Sequence, residues 1–349
     1  MKWFKYILFC SFLFSFYSAF SSAPATEEKE KFNIVEFIFD HVNDSHEWYF
    51  FSVGGKDISI PFPVILYSQK TGWHFFSASK FSHPDAGFPF MLVRENNDKK
   101  IVEVLEDGSK IVPLDLSITK AVFGMIVASL IILIVVISSS RKTSANPMAP
   151  PRGLQNVVEP VTIFIRDDLA KPFIGKKFGP YLPYLLTIFS FILVCNLIGL
   201  IIPLGINITG NIAVTMVLAV FTFVITTASS NKYYWLGIVN PEVPWFMKLP
   251  IPLIPFIEFL GIFIKPTILM IRLFANIFSG HMIVTILIGL IFLMSFMFNP
   301  GVGAGTSVIT IVFSLFTLVL DVLVAFIQAY IFTLLSALYF GMATSEHKH

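Results

Sequence analysis

The chain has 349 residues, of which 55% are hydrophobic, only 13% are charged and 39 are phenylalanine. This composition excludes an ordinary soluble domain and indicates a polytopic membrane protein. The net charge of +2 is small, but fifteen of the 22 acidic residues lie between Glu27 and Asp115, together with nine lysines and arginines. The chain therefore divides into a polar, acidic N-terminal block and a long apolar remainder.

Residues 1–25 have the pattern of a secretory signal peptide. Two lysines form a basic start, residues 6–20 are an apolar run that is short for a membrane span, and small residues follow up to Ala25. We expect cleavage after Ala25, which would export the acidic block; the alternative is a retained first transmembrane helix. Since Cys10 lies in this segment, the mature chain would keep only Cys195 and could form no internal disulfide.

The acidic block alternates short aromatic and β-branched runs with turn residues such as Gly, Asn and Asp. This alternation predicts a small antiparallel sheet. A metal site is one interpretation of the histidines in this block, but their spacing matches no metal motif. Solvated or sheet-packed side chains are therefore the favoured interpretation for all four: His41, His46, His74 and His83.

Three apolar segments of ordinary length follow the acidic block, at residues 118–138, 181–203 and 211–229. Each is long enough for one membrane span. Residues 154–173, which mix polar and apolar positions, are predicted to form a broken amphipathic helix on the membrane surface. Residues 231–249 are expected to form a loop.

The last two apolar stretches are too long to be ordinary spans. Residues 251–298 and 306–342 would each form a helix much longer than the hydrocarbon core, which is about 30 Å thick. Each stretch is either two short helices or one steeply tilted helix. Because no turn signal divides either interior and Pro266 can kink a helix without ending it, we predict two long tilted helices joined by a turn at Asn299, Pro300 and Gly301.

The predicted fold is an all-α, polytopic membrane protein with two long tilted C-terminal helices and a small β-rich exported N-terminal domain. The expected units are a signal peptide at 1–25, an exported acidic domain at 26–116, a transmembrane domain at 117–343 and a tail at 344–349. The positive-inside rule sets the orientation, because the basic residues of the later loops fall on one side: Arg141, Lys142, Arg152, Lys176, Lys177, Lys232 and Lys248. We expect the N-terminal domain in the periplasm and the C-terminus in the cytoplasm of a bacterial inner membrane.

Arg272 is the most informative residue of the apolar region. Its guanidinium stays charged, and a mid-span arginine costs about 2.5–3.5 kcal/mol on insertion scales. An arginine that reaches the interface from a helix end is the alternative, but long apolar sequence flanks Arg272 on both sides. We therefore interpret it as a fixed charge in a protein-lined pathway.

The two long stretches also hold most of the other intramembrane polar side chains: Glu258, Lys265, Asn276, Ser279 and His281 on the first, Asp321 and Gln328 on the second. At about 100° per residue, Arg272 lies near the face of Glu258 and Asn276, whereas His281 lies on the opposite face. Asp321 is the expected partner of His281.

This distribution suggests two proton half-paths separated by a fixed cation. Interfacial solvation is the alternative for Glu258 and Lys265, and interhelical hydrogen bonding is the alternative for Asn276 and Gln328.

No phosphate-binding loop, zinc-spaced cluster or nucleophile elbow occurs in the sequence. We therefore expect no cofactor, no metal and no ATP hydrolysis by this chain itself, so a catalytic role stays uncertain.

At these residues the sequence resembles subunit a of the F-type ATP synthase. The resemblance covers about residues 118–343 and depends most on KPTILMIRLFANIFSGHMIV at 265–284 and QAYIFTLLSALYFGMA at 328–343. The segments NLIGLIIPLG at 196–205 and NITGNIAVTMVLA at 207–219 resemble the family's earlier hairpin. One departure is Gly199, where some relatives have an acidic residue. The exported domain is also far longer than the typical N-terminus of the family.

The resemblance implies a proton-conducting stator subunit that couples proton flow to rotation. Arg272 would face the ring of c subunits, with Asn276 and Gln328 as its polar neighbours. His281 and Asp321 would line the outer half-channel and Glu258 the cytoplasmic one. The implied partners are the c-subunit ring, the b-subunit stator, other ATP synthase subunits and membrane lipid, and no nucleic acid.

Two other classes of protein remain as alternatives. A secondary transporter with an intramembrane proton relay would require a substrate site between repeats, and no internal repeat is visible. A membrane-anchored sensor would use the exported domain but would not need the charged residues inside the membrane.

Overall fold

The computed structural model describes residues 43–53, 56–82, 88–95, 98–105, 109–145, 150–201, 206–239 and 253–345. The predicted signal peptide, His41, His83 and the last four residues lie outside these ranges. The described chain begins with short strands and continues as helices, so the predicted all-α membrane architecture with a β-rich N-terminal part is confirmed.

Eight short strands and one short helix make up the N-terminal part. They are β1 (Glu47–Val53), β2 (Lys56–Pro61), β3 (Pro63–Ser68), β4 (Gly72–Ser77), α1 (Ser79–Ser82), β5 (Phe90–Glu95), β6 (Asp98–Val104), β7 (Lys110–Ile111) and β8 (Leu114–Asp115). The pairing is antiparallel, as predicted, but it forms three small sheets rather than one, in the orders β1-β2, β4-β3-β8 and β5-β6-β7.

Alternating side chains build the core of this part. Val64 and Leu66 point inward from β3 and pack with Phe90 and Ile101 from the neighbouring sheet. Glu103 is also fully buried, and its carboxylate accepts hydrogen bonds from the hydroxyls of Ser68 and Thr71, which satisfies its oxygens.

The two described histidines of the N-terminal part pack within or beside the sheets. His46 Nε2 lies 2.8 Å from Asp115 Oδ2, and His74 Nε2 lies 2.8 Å from Thr71 Oγ1. Burial opposes ionisation of Asp115, but hydrogen bonds from His46 and Ser117 outweigh it and hold the pKa of the Asp115 carboxyl below its ordinary value. Among the described residues no group of three potential metal ligands occurs.

Helices form the remainder of the described chain. They are α2 (Lys120–Ala145), α3 (Gln155–Phe164), a π-helical segment (Ile165–Ala170), α4 (Lys171–Ile174), a 3₁₀ turn (Gly175–Lys177), α5 (Leu182–Gly199), α6 (Ile212–Ala228), α7 (Lys232–Val239), α8 (Leu253–Met297) and α9 (Pro300–Thr344). Helices α2, α5 and α6 correspond to the three predicted spans. Helix α7 lies within residues 231–249, where the sequence predicted a loop.

Residues 154–173 form the predicted broken helix. Its π-helical segment packs Ile165 and Leu169 completely into the core between the membrane helices. On its polar side, Asp167 accepts hydrogen bonds from Arg166 and forms an ion pair of 2.6 Å with Lys171. Hydrogen bonds from these two cations hold the pKa of the Asp167 carboxyl well below its ordinary range, so the group stays ionised.

The two long helices are continuous, as predicted. Helices α8 and α9 contain 45 residues each. Each is about 67 Å long, more than twice the hydrocarbon thickness, so they can lie in a membrane only with a steep tilt or with ends beyond it. Pro266 is accommodated inside α8, and the Asn299 side chain caps α9 by accepting from the backbone N–H of Val302 at 2.9 Å.

Four helices among the described residues are long and apolar enough to cross a membrane, namely Lys120–Thr143, Leu182–Gly199, Phe256–Met297 and Pro300–Thr344. Helices α6 and α7 would add a fifth span if they act as one segment, although they bend by 107°. The protein is therefore a multi-pass membrane protein.

The sheets are attached directly to the start of α2. Asp44 Oδ1 accepts from the backbone N–H of Ala121 at 3.0 Å, and Asp44 Oδ2 accepts from Nδ2 of Asn211 at 3.3 Å. The Trp48 and Phe62 rings also pack against Phe123. One end of the membrane part is consequently held against the sheets at both α2 and the turn before α6.

Candidate functional site

Arg272 lies on an exposed surface of α8. The apolar neighbours Ile268 and Ile271 are exposed on this helix too, whereas Leu269 and Leu273 are buried in the core. No acidic side chain within the described part of the chain forms a salt bridge with Arg272. Arg272 is therefore an exposed cation without an acidic partner in the described part of the chain.

A polar cavity lies on the C-terminal side of Arg272. Helices α5, α8 and α9 build it, and we call it the His281 cavity. Its lining residues are Asn196, Leu200, Asn276, Ile277, Gly280, His281, Asp321 and Val324. Four polar side chains from three helices thus converge on one space, although they are far apart in the sequence.

Two nitrogen atoms of this cavity have no hydrogen-bond partner among the described residues. They are Nε2 of His281 and Nδ2 of Asn196, and both are buried. The oxygen of the Asn196 amide does have a partner, because Thr209 Oγ1 donates a hydrogen bond to Asn196 Oδ1 at 2.6 Å. Unpartnered buried polar groups are costly, so these atoms mark a place where a polar ligand would bind favourably.

His281 and Asp321 line the same cavity but form no direct hydrogen bond to each other within the described structure. Asp321 lies against Gly280: a Cβ atom added at Gly280 would be 2.9 Å from Asp321 Oδ1. His281 faces Gly199 instead, since a Cβ there would be 3.4 Å from its Nε2. The space beside Gly199 is therefore occupied by the imidazole of His281.

Asn276 lies between the exposed surface that carries Arg272 and the His281 cavity. It lies one turn after Arg272, lines the His281 cavity, and donates from Nδ2 to Gln328 Oε1 at 2.9 Å. Gln328 is 2% exposed, so this bond satisfies a buried amide. The interhelical hydrogen bond considered from the sequence is present, and it also fixes the two amides beside the arginine.

A second cavity lies on the N-terminal side of Arg272, and we call it the Lys265 cavity. Its lining residues are Thr222, Phe223, Thr226, Thr227, Tyr234, Ile262, Lys265, Pro266, Leu269, Tyr339 and Met342. The Lys265 ammonium lies 5.9 Å from the centroid of the Tyr339 ring, within the range of a cation–π contact. Glu258 is exposed on α8 two turns before Lys265, beyond this cavity.

Sequence reasoning missed several of these residues. Asn196 is the one amide in an otherwise apolar span, and that isolation is the signal that could have identified it. Tyr234 and Tyr339 gave no comparable signal, because aromatic residues are common throughout this chain. Their place beside Lys265 depends on how α7 and α9 pack against α8.

The fold and the site define a class: multi-pass helical membrane proteins with ionisable side chains inside their spans. Comparison with known families narrows this class, because the family described as "ATP synthase A chain" matches residues 122–341. The chain belongs to the ATP synthase A chain family. A second match, to a domain of unknown function, covers residues 37–117.

Curated relatives agree with this assignment. ATP synthase subunit a of Chlorobium phaeobacteroides (strain DSM 266) is 43% identical over 245 residues, covering 67% of each chain. The protein of the same name from Chloroherpeton thalassium is 41% identical and covers 67% of this chain and 69% of its own. The protein of the same name from Myxococcus xanthus is 39% identical, and the match covers 68% of this chain and 76% of its own.

Proposed function

We propose that this chain is the proton-conducting stator subunit of an F-type ATP synthase and that Arg272 separates two half-channels. The observation that carries the proposal is the position of Arg272 between two polar cavities on one helix. The Lys265 cavity is centred about 10 Å before it and the His281 cavity about 13 Å after it, at ~1.5 Å per residue. A fixed cation between two polar spaces is what a pathway with an internal barrier requires.

The outer half-channel would use the His281 cavity. His281 and Asp321 are the groups there that can accept and release protons. A water molecule would satisfy the buried nitrogens of His281 and Asn196 and could pass a proton between the cavity's polar groups. Asn276 and Gln328 would hold the surface between this cavity and Arg272 in one arrangement.

The inner half-channel would run past Glu258 and the Lys265 cavity. A proton would enter by the outer path and neutralise a carboxylate on the c-subunit ring, which could then move through lipid. After nearly a full rotation the carboxyl would release its proton toward Glu258. Arg272 would attract the resulting carboxylate with about 4 kcal/mol at 4 Å and an effective dielectric of ~20, enough to favour ionisation and to block a direct leak.

The c-subunit ring and the b-subunit stator are the partners that this mechanism needs. The exposure of Arg272 on α8 supports a ring-facing surface, because an unpaired cation inside a membrane is expensive without a counter-charge. We place the sheets in the periplasm and the C-terminus in the cytoplasm, on the grounds of the one-sided basic loops. N-terminal sequencing of the purified subunit tests the associated cleavage after Ala25, and an intact Met1 would contradict it.

The test of the proposal is Arg272→Ala in the assembled complex. We expect loss of ATP-driven proton pumping in inverted membrane vesicles, with normal insertion of the subunit, because the barrier and the attraction for the ring carboxylate both disappear. Ile271→Ala is the matched control, since it shortens the neighbouring exposed side chain of the same helix. Normal pumping by Arg272→Ala would overturn the proposal.

A further inference from the structure

One face of the sheet β4-β3-β8 carries large apolar side chains that no described residue covers. Along β3, Val64 and Leu66 point into the core, so Ile65 and Tyr67 point to the other side. The register adds side chains from both neighbouring strands to this second side. We define the aromatic face by its five most exposed members, whose exposed fractions run from 38% to 71%: Tyr67, Trp73, Phe75, Leu114 and Leu116.

The aromatic face is a continuous surface. The rings of Tyr67 and Trp73 lie 5.0 Å apart between centroids, and those of Trp73 and Phe75 stack at 6.2 Å. Leu114 pairs with Tyr67 in the ladder, and the backbone N–H of Leu116 donates to Ile65. A contiguous apolar patch of this kind marks a binding surface more often than an accident of packing.

The position of the face indicates what binds to it. Leu116 lies only four residues before Lys120, where the membrane helix α2 begins, so it is within about 14 Å of that helix even if the connection is fully extended. The connection is not a free linker. Backbone N–H groups of Ile118 and Lys120 donate to Pro63 and Ser45, which fixes the sheet against the end of the helix.

We propose that the aromatic face rests in the lipid headgroup region at the end of α2, so that the N-terminal sheets are themselves a membrane-surface module. Trp and Tyr are the residues enriched at this depth, because their rings are apolar and their edges can hydrogen-bond. The face combines both with aliphatic side chains, as interfacial segments do. This inference is independent of the proposed proton pathway, since it uses none of the intramembrane polar groups.

Site-directed spin labelling of the full-length chain tests the proposal. Both native cysteines are first replaced (Cys10→Ser and Cys195→Ala), and single labels are introduced by Phe75→Cys and Leu116→Cys on the face. Lys110→Cys is the control, because Lys110 is exposed on a different sheet. Each variant is reconstituted in vesicles of phosphatidylethanolamine and phosphatidylglycerol. The accessibility of each label to dissolved oxygen, which concentrates in lipid, is compared with that to a water-soluble nickel complex.

We expect the oxygen-to-nickel accessibility ratio to be several-fold higher at both face positions than at the control. Equal ratios at the three positions would mean that the face is in water and would overturn the proposal. Low accessibility to both reagents at positions 75 and 116 would mean that protein covers the face, either a second copy or another subunit, and would overturn it as well. Two label sites keep the test valid if one substitution disturbs the sheet.

Discussion

The position of the Asp321 carboxylate depends on the absence of a side chain at Gly280 on the neighbouring helix α8. Its Oδ1 atom occupies the space that a Cβ at Gly280 would need, so the two helices approach closely at this point of the His281 cavity. The obstacle is the end of a movable side chain rather than backbone. An added methyl group should therefore turn the carboxylate away without unfolding the hairpin.

We therefore predict that Gly280→Ala lowers proton pumping by the complex without preventing its assembly. Because a displacement of about 1 Å can reduce a proton-transfer or catalytic step up to ~100-fold, we expect ATP-driven proton pumping to fall by about tenfold or more. Gly261→Ala on the same helix is the control, since its nearest neighbour, the Cε atom of Lys265, would be 4.0 Å away. Equal pumping by the two variants in inverted vesicles would show that the position of Asp321 does not limit proton entry.

At the scale of elements, α9 serves as a platform for the broken helix at residues 155–174. Gly341 of α9 approaches the backbone carbonyl of Phe173 so closely that a Cβ could not fit without a shift. This obstacle is backbone, unlike the carboxylate at Gly280. The Phe340 ring is fully buried next to this contact and packs on Tyr181 and Tyr184.

Gly341→Ala should therefore destabilise the packing of α4 on α9 by about 1–3 kcal/mol, the usual cost of overpacking. The measurement is the thermal unfolding midpoint of the purified subunit in detergent, and unfolding is monitored through the accumulation of aggregates. Gly305→Ala is the matched control on the same helix, because nothing lies within 4 Å of its added Cβ. A midpoint for Gly341→Ala no lower than that of the control would contradict the close packing described above.

At the scale of the whole molecule, Asp44 connects the sheets to two parts of the membrane domain. It accepts hydrogen bonds from the first turn of α2 and from Asn211, the residue that caps α6. Lys120 is nearly buried beside it and donates to the carbonyl oxygen of Asn43 at 3.4 Å. This one carboxylate thus contacts both α2 and the turn before α6, in addition to the backbone and ring contacts that attach the sheets to α2.

Asp44→Ala should loosen this junction. Asp44 Oδ1 also accepts from the backbone N–H of Ser45 at 3.0 Å. Loss of a helix-capping acceptor costs about 1 kcal/mol, so we expect faster amide hydrogen exchange at Ser45 and at the start of α2. Asp44→Asn keeps one acceptor oxygen and should restore most of the protection. The prediction is wrong if exchange at these amides is the same in Asp44→Ala and in the unchanged protein.

The sequence by itself determined most of the elements of this protein and the residues worth examining, although it missed helix α7 and the division of the strands into three sheets. Apolar run length separates spans from loops, the absence of turn residues indicates two uninterrupted long helices, and a charge inside an apolar run identifies Arg272 without any structure. Alternation of side chains likewise predicted antiparallel strands before Lys120. These features depend only on residues close together in the sequence, so the sequence alone is enough to predict them.

Only the tertiary structure decided which of these residues meet. A helical period gives the angle between His281 and Arg272 on one helix, but it does not say which neighbouring helix each side faces. The convergence of Asn196, His281 and Asp321 depends on three helices whose rotation about their axes is set by close approaches such as that at Gly280. Such approaches join residues far apart in the sequence, so their physical origin is packing, and no local pattern encodes it.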